Sequence, residues 1–214
     1  MTTGRKNRTA ETVEQAQQTL AKSGYHHGDL KAALIDATRQ LVEEKGPDRF
    51  SVADACRLAG VSTAAPYKHF KDKTEMLVAT ALDGMSRHRE NTLKALEGIP
   101  PGSPDRITAI GLEYINFALN EPAVFRLKFG GFTDRIVDDE LTAAGQQVFG
   151  VLLHEVALCI GQDEASDEVR HRGFLLWSFV HGLSFILRDH DLTKMGGDID
   201  LRETLKDIAR RMLD

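Results

Sequence analysis

Several features are scarce in this chain, and each shortage excludes a class of protein. The 214 residues include two cysteines, Cys56 and Cys159, in separate apolar segments. We expect them to be small buried hydrophobes in a reducing compartment rather than a disulfide or a redox sensor. No apolar run reaches the roughly 20 residues that span a bilayer, and the first residues lack the apolar segment of a secretory signal. These shortages predict a cytoplasmic protein with no membrane partner.

Catalytic signatures are equally scarce. The pair Gly130–Gly131 follows no predicted strand, so it is not a phosphate-binding loop, and His154–Glu155 lacks the second histidine of a zinc-binding helix. The consecutive acids Asp138–Glu140 splay around a helix as a solvated face. No cysteine or carboxylate stands at ligand spacing from His26–His27, which are interpreted as surface residues or neighbours of a phosphate backbone. The sequence thus predicts no enzyme, no metal and no cofactor.

Helical periodicity is what the chain does have. Apolar residues such as Leu30, Leu34 and Leu41 recur on one helical face, and no segment has the alternation of a strand. A hydrophobic content of 42% and a charged content of 28% are typical of a globular protein. We predict an all-α fold of about nine helices, at residues 29–45, 52–59, 63–70, 73–96, 104–120, 121–129, 134–160, 165–189 and 199–213.

One stretch has the layout of a helix-turn-helix. Ser51 begins a short helix, and Asp54 stands three residues later to close a capping box. Gly60 suits a left-handed helix end, and Ser62 then caps the second helix. Helix, glycine-containing turn and capped helix are typical of a DNA-binding unit whose second helix enters the major groove.

The second helix carries side chains that DNA recognition requires. Thr63 can bond a base edge and Ala64 can meet a thymine methyl, whereas Lys68 and His69 carry donors for phosphate oxygens. Pro66 lies so near the helix start that it should remove at most one backbone bond. The candidate DNA-contacting residues are Ser51, Val52, Ser62, Thr63, Ala64, Ala65, Tyr67, Lys68, His69 and Lys73. The alternative is a buried helical hairpin with a solvated basic rim.

Charge is distributed in agreement with a DNA-binding N-terminal part. The whole chain has a net charge of −5, but residues 1–75 carry 12 basic and 10 acidic side chains, whereas residues 76–214 carry 15 and 22. The candidate DNA-binding part is therefore the positive part, and its partner would be double-stranded DNA.

A resemblance to tetracycline-repressor-like (TetR-type) transcriptional regulators covers residues 25–77. Its most specific part is the run GVSTAAPYKHFKDK, which has the family's Tyr-X-His-Phe pattern at 67–70; Pro66 departs from the usual Leu, Ile or Val. A weaker match, LLWSFVHGLSFI at 175–186, resembles the Trp…His-Gly signature of one C-terminal subgroup. The resemblance implies a homodimeric repressor that leaves a palindromic operator when a small, largely apolar effector binds.

This interpretation divides the chain into three parts. They are a polar extension over 1–24, a three-helix DNA-binding domain over 25–75, and a helical ligand-binding and dimerisation domain over 76–214. The extension is either an arm that reaches DNA or a solvated tail. The fourth helix, which begins after Asp72, crosses the domain boundary and would let the C-terminal domain move the DNA-binding helix.

The C-terminal aromatic residues predict an apolar pocket with a few polar anchors. The candidate ligand-binding residues are Phe125, Phe129, Phe132, His154, Trp177 and His181. A four-helix bundle built from the last two helices of each protomer would form the dimer, through Leu175, Phe179, Leu183, Leu205 and Met212. Three alternatives stay open: these helices complete the core of one chain, His181 is a packing residue, or the protein is a helical interaction adaptor with a non-functional DNA-binding head.

Overall fold

The structure is a computed structural model that describes residues 30–132, 138–189 and 199–214. The predicted extension over 1–24, the pair His26–His27 and the predicted helix start at residue 134 lie outside these residues. The described residues contain no strand, so the predicted all-α fold is confirmed. They form eight α-helices and one 3-10 helix: α1 Leu30–Lys45, α2 Val52–Leu58, the 3-10 helix Pro66–Lys68, α3 Lys73–Ala95, α4 Pro104–Asn120, α5 Pro122–Phe129, α6 Asp139–Ile160, α7 Asp167–Asp189 and α8 Leu201–Leu213.

Side-chain caps define where most of these helices begin. At α2 the Ser51 hydroxyl accepts the amide of Asp54, whose carboxylate accepts the Ser51 amide at 2.8 Å, so the predicted capping box is confirmed. Asp72 caps α3, as predicted, and Ser103 caps α4 directly before a proline. Each cap satisfies an amide that has no partner within its helix and typically contributes about 1 kcal/mol.

The turn after α2 closes as the sequence predicts. Gly60 has a φ of +69°, in the left-handed region that favours glycine. Its amide donates to the carbonyl of Arg57 at 3.3 Å, and the amide of Val61 donates to the carbonyl of Cys56 at 2.9 Å. This bond pattern is a Schellman motif, and it turns the chain sharply towards the exposed segment that follows.

That following segment differs from the α-helix predicted over 63–70. It contains only a 3-10 helix, whose N-cap is Ala65, and no side chain caps it, so the predicted cap at Ser62 is wrong. Pro66 has no amide with which to bond the Ser62 carbonyl as an α-helix requires. The amides of Ala65 and His69 instead bond the carbonyls three residues earlier, at 3.0 and 2.8 Å. The proline therefore changes the type of the whole turn, not one bond.

Two apolar clusters form the interior. The first joins residues of the N-terminal part, such as Leu34 and Phe70, to residues of α4, α5 and α7, such as Tyr114, Val124 and Val180. Helix α3 packs against α1, α4, α5 and α6, so it connects the N-terminal helices with the rest of the molecule. The second cluster lies further along the molecule and includes Leu96, Ile107, Leu152, Val156 and Leu176.

A buried ion pair ties three segments together near the second cluster. The Arg106 guanidinium donates to both carboxylate oxygens of Glu155 at 2.7 Å, and Glu155 is 3% exposed. Arg106 also donates to the carbonyls of Leu96 and Ile99 at 3.1 and 2.7 Å. The pair thus holds α4 and α6 to the turn that follows α3, and its hydrogen bonds offset the cost of burying two charges.

Helix α6 is apolar along most of its length. Within the part of the chain that the structure describes, it is the one helix that is long and apolar enough to cross a bilayer, by length and composition. The expectation that no segment reaches that length therefore does not hold for α6. Its contacts with α3, α4 and α7, and the burial of Leu152 and Val156, place one side of α6 in the packed interior.

Candidate DNA-binding surface and ligand cavity

The segment after the α2 turn presents a strip of exposed side chains. Ser62, Thr63, Ala64, Tyr67, Lys68 and His69 are all exposed, and Tyr67 is 63% exposed although it is a large aromatic residue. Pro66 and Phe70 point the other way into the core, so the backbone beneath the strip is held in place. The strip combines small residues, hydrogen-bonding groups and a lysine, which are the side chains that base edges and phosphates accept.

Four of the candidate DNA-contacting residues are placed differently. Lys73 donates to the carbonyl of Phe50 at 2.7 Å and lies 4.2 Å above its ring, so its amino group is engaged within the chain. Burial lowers the pKa of Lys73. Val52 and Ala65 are half-buried, and the Ser51 hydroxyl bonds Asp54. These residues support the strip rather than extend it.

A cavity of about 340 Å³ lies between helices α3 to α7. Its wall is mostly apolar, with six aromatic side chains, and a few polar groups interrupt it. It is lined by Met85, His88, Thr92, Ile110, Tyr114, Phe117, Lys128, Phe129, Thr142, Gly145, Gln146, Val148, Phe149, Leu152, Phe174, Trp177 and Val180. Its size and lining are those of a site for a small molecule.

Two of the six candidate ligand-binding residues, Phe129 and Trp177, line this cavity. Phe125 is fully buried among the rings of neighbouring helices, and Phe132 is also a core residue, 9% exposed. His154 lies on the surface, where its ring nitrogen is 3.2 Å from a carboxylate oxygen of Glu164. These three were predicted from their residue types in the aromatic-rich part of the chain, whereas packing decides which side chains border the cavity.

His181 supports the cavity wall from behind. Its Nδ1 lies 2.7 Å from the hydroxyl of Tyr114, and its ring stacks on Trp177 with centroids 4.9 Å apart. Burial raises the pKa of Tyr114, so the phenol stays protonated and donates. Burial and the nearby Arg188 lower the pKa of His181, which favours the neutral imidazole. In the tautomer whose proton is on Nε2, Nδ1 accepts from the phenol. The bond holds Tyr114 and the stack supports Trp177, and both of these residues line the cavity.

Most of the residues of the cavity wall were not predicted from the sequence. His88 is the most informative omission, because it is 3% exposed and lies on the inward stripe of α3 with Met85 and Thr92. Their spacings of three and four residues were visible in the sequence, and a histidine on such a stripe is a signal for a polar group in an apolar site. The spacing alone does not show that α4 and α6 leave space opposite it.

The candidate dimer residues are divided between surface and interior. Leu175 on α7 is 38% exposed, and Phe179 and Leu183 are half-buried. Leu205 on α8 is 4% exposed and packs against α4. Its Cδ2 would lie only 3.1 Å from a Cβ atom added at Gly111. Met212 packs on the second cluster. The apolar stripe of α8 is therefore used inside the chain, because α4 covers it.

Comparisons with known proteins agree with this architecture. A family model described as "Bacterial regulatory proteins, tetR family" matches residues 34–80, and one described as "Tetracyclin repressor-like, C-terminal domain" matches residues 107–212. The HTH-type transcriptional regulator BetI of Escherichia coli O127:H6 is 40% identical over 73 residues, which are 34% of this chain and 37% of that protein. The chain thus matches less than half the length of such relatives.

Solved structures share the fold over almost the whole chain. A protein of unknown function from Rhodococcus sp. RHA1 superposes with a TM-score of 0.73 at 24% identity, over 90% of this chain and 97% of that one. The regulator FadR from Bacillus subtilis, solved with stearoyl-CoA, superposes with a TM-score of 0.65 at 13% identity, over 86% and 97%. At these identities the likeness concerns the fold. Together with the two family matches, it shows that the chain belongs to the TetR family of bacterial transcriptional regulators.

Proposed function

We propose that this protein is a homodimeric, ligand-responsive repressor that leaves a palindromic operator when a small, largely apolar molecule occupies the cavity. The observation that carries the proposal is that one helix connects the two sites. Helix α3 follows the exposed strip directly, and its Met85, His88 and Thr92 line the cavity further along. A cytoplasmic location agrees with this role.

The chemistry of the strip supports DNA recognition. Thr63 and Ala64 are short enough for a close approach to base edges, where a hydroxyl and a methyl group can discriminate between bases. Tyr67, Lys68 and His69 would contact phosphates and fix the register on the duplex. One such DNA-binding domain, called the head below, binds weakly. Two heads about 34–36 Å apart contact successive major grooves on one side of the DNA.

Direct contacts connect the cavity with the head. Arg126 on α5, three residues before the cavity residue Phe129, donates to the carbonyl of Val42 near the end of α1 at 3.1 Å. Arg87 on α3 donates to both carboxylate oxygens of Glu121 at the start of α5, at 2.7 and 2.8 Å. A ligand that moves α5 or α3 would therefore shift the head, and coupling of this kind typically amounts to about 1–3 kcal/mol.

The apolar wall supports an apolar effector, and so does the fold likeness to FadR, a protein solved with stearoyl-CoA. The alternative function is a helical interaction adaptor whose head no longer binds DNA. The exposed Tyr67 and Lys68 favour the regulator, because an adaptor has no need to display them.

Substitution of a strip lysine tests the proposal against a matched control. We expect Lys68→Ala to weaken binding several-fold to every genomic fragment that the wild-type protein binds. The slope of log binding constant against log salt concentration should also become shallower by about one for each DNA-binding domain. Lys94→Ala, an exposed lysine at the far end of α3, should leave both unchanged. Fluorescence anisotropy with fragments selected by mobility shift measures both quantities. If the wild-type protein retards no fragment at moderate salt, the adaptor replaces the regulator.

A further inference from the structure

One polar group on the cavity wall is buried without a hydrogen-bond partner. His88 is 3% exposed, and neither Nδ1 nor Nε2 has a partner among the described residues. Its ring stacks on Phe117 with centroids 4.1 Å apart and an interplanar angle of 11°, so the imidazole is held in one orientation. An unsatisfied buried polar group is costly and rare, which makes this position informative.

Other polar groups on the same wall are already engaged within the chain. The Tyr114 hydroxyl bonds His181, Thr92 donates to the carbonyl of His88 at 2.8 Å, and Lys128 donates to the carbonyl of Leu141 at 3.0 Å. Among the described buried side chains, the atoms without a partner are the two nitrogens of His88 and one oxygen of Glu113. Among the described residues of the wall, His88 is therefore the one with buried hydrogen-bonding atoms that have no partner.

Glu113 distinguishes the two nitrogens of His88. Its Oε1 lies 3.9 Å from Nδ1, and Glu113 borders the polar groove behind His88 rather than the cavity. A carboxylate on that side favours the tautomer whose proton is on Nδ1. Nε2 is then left as a lone-pair acceptor without a partner, on a residue that lines the cavity.

We propose that the effector is an uncharged, largely apolar molecule whose hydroxyl group donates a hydrogen bond to Nε2 of His88. This inference rests on the proposed function, because it names the chemical class that the cavity of that regulator takes. A hydroxyl supplies the missing donor, and the apolar wall covers the remaining body of the molecule. An anionic group in the same place would face repulsion from Glu113 behind the ring.

Two isomers with the same apolar bulk isolate the hydroxyl group. We expect octan-1-ol to bind roughly three- to tenfold more tightly than 1-methoxyheptane, which can accept but cannot donate a hydrogen bond. Trp177 is the single tryptophan of the chain and lines the cavity, so its fluorescence reports occupancy. Equal affinities for the two isomers would overturn the inference.

Charged probes of the same length test the neutral character of the ligand. Octanoate and octylammonium should both bind more weakly than octan-1-ol to the full-length protein. Tighter binding of octanoate would indicate an anion site, and tighter binding of octylammonium would indicate that Glu113 receives a cation. Either result overturns the inference.

Substitution of His88 locates the preference. His88→Phe retains a ring to stack on Phe117, so it should still bind both isomers but lose the preference for the alcohol; His88→Gln, which can still accept, should retain part of it. A preference that survives in His88→Phe overturns the assignment. Operator binding measured in the same samples separates the two proposals: if DNA binding persists without an alcohol preference, only the inference fails, and if no DNA binds, the proposed function fails.

Discussion

The pair formed by Tyr114 and His181 shows how single protonation states hold the cavity wall. The phenol donates and the imidazole accepts over 2.7 Å, which requires His181 to be neutral. Protonation of Nδ1 would reverse this bond, because the imidazolium would then donate to the phenol oxygen, and it would bury a positive charge near Arg188. The wall that contains Trp177 is therefore sensitive to mild acid.

The free energy of unfolding should decrease as the pH falls, because the folded protein favours a neutral His181. The pKa of His181 lies below its ordinary value of 6.5, first because of burial and then because of Arg188. Below pH 6.5 the unfolded chain takes up a proton that the folded chain resists, so folding stability decreases until the folded pKa is reached. We expect His181→Gln, which keeps an acceptor for Tyr114, to lose less stability between pH 7.5 and 5.5 than the wild type. Urea denaturation at each pH measures the difference.

The matched control for this effect is a surface histidine. His154 pairs with Glu164 and its side chain is 57% exposed, so His154→Gln should retain the pH dependence of the wild type. A pH dependence that is the same in His181→Gln and in the wild type would mean that other groups cause the loss.

At the scale of elements, the crossing of α3 and α5 is unusually close. A Cβ atom at Gly84 would lie 2.3 Å from Cγ2 of Val124, and Val124 is fully buried. Because Gly84 has no side chain, Val124 can pack directly against the backbone of α3. Helices α3 and α5 are the two helices that connect the cavity with the DNA-binding domain. Arg87 and Glu121 hold the same two helices together a few residues away.

Enlarging this contact should destabilise the protein in spite of helix propensity. Gly84→Ala gains up to about 1 kcal/mol of intrinsic helix preference, but overpacking typically costs about 1–3 kcal/mol. With 2.3 Å between the atoms we expect a net loss in the free energy of unfolding by urea denaturation. Gly150→Ala on α6, where a Cβ would meet nothing within 4 Å, is the matched control and should be neutral or stabilising.

A second substitution checks the cause of that loss. Val124→Ala in the Gly84→Ala background removes the two nearest methyl groups, so the double variant should lose less stability than the two single variants added together. Strictly additive losses would show that the α3–α5 contact is not the origin.

The sequence predicts the elements well and the site only in part, and particular residues show why. Caps at Ser51, Asp72 and Ser103 are local signals, since each depends on residues within three positions, and the capping box at Ser51 was predicted. The effect of Pro66 was predicted to be the loss of at most one backbone bond, but its missing amide changes the whole turn from an α-helix to a 3-10 helix. His154 and Phe125 were misplaced because the cavity is defined by the packing of five helices, which no local pattern contains.

At the scale of the whole molecule, α7 presents the best surface for a second copy. Leu175, Ser178, Gly182 and Ile186 are all exposed and share one helical face at spacings of three and four residues. A Cβ at Gly182 would meet nothing within 4 Å, so another helix can approach closely there. The outer face of α8 is charged instead. We therefore expect α7 to dominate the dimer interface, with α8 contributing less than its apolar stripe predicts.

A charge on the α7 face should separate the protomers without unfolding them. In a two-fold interface each residue acts in both copies, so Leu175→Glu buries two unpaired carboxylates and should give monomers at micromolar concentration. Because Leu175 is 38% exposed within its own chain, the helical circular dichroism should stay that of the wild type. Leu158→Glu on α6, where the leucine is 44% exposed, should remain dimeric. Sedimentation equilibrium distinguishes the two, and a dimeric Leu175→Glu protein would place the interface on another face.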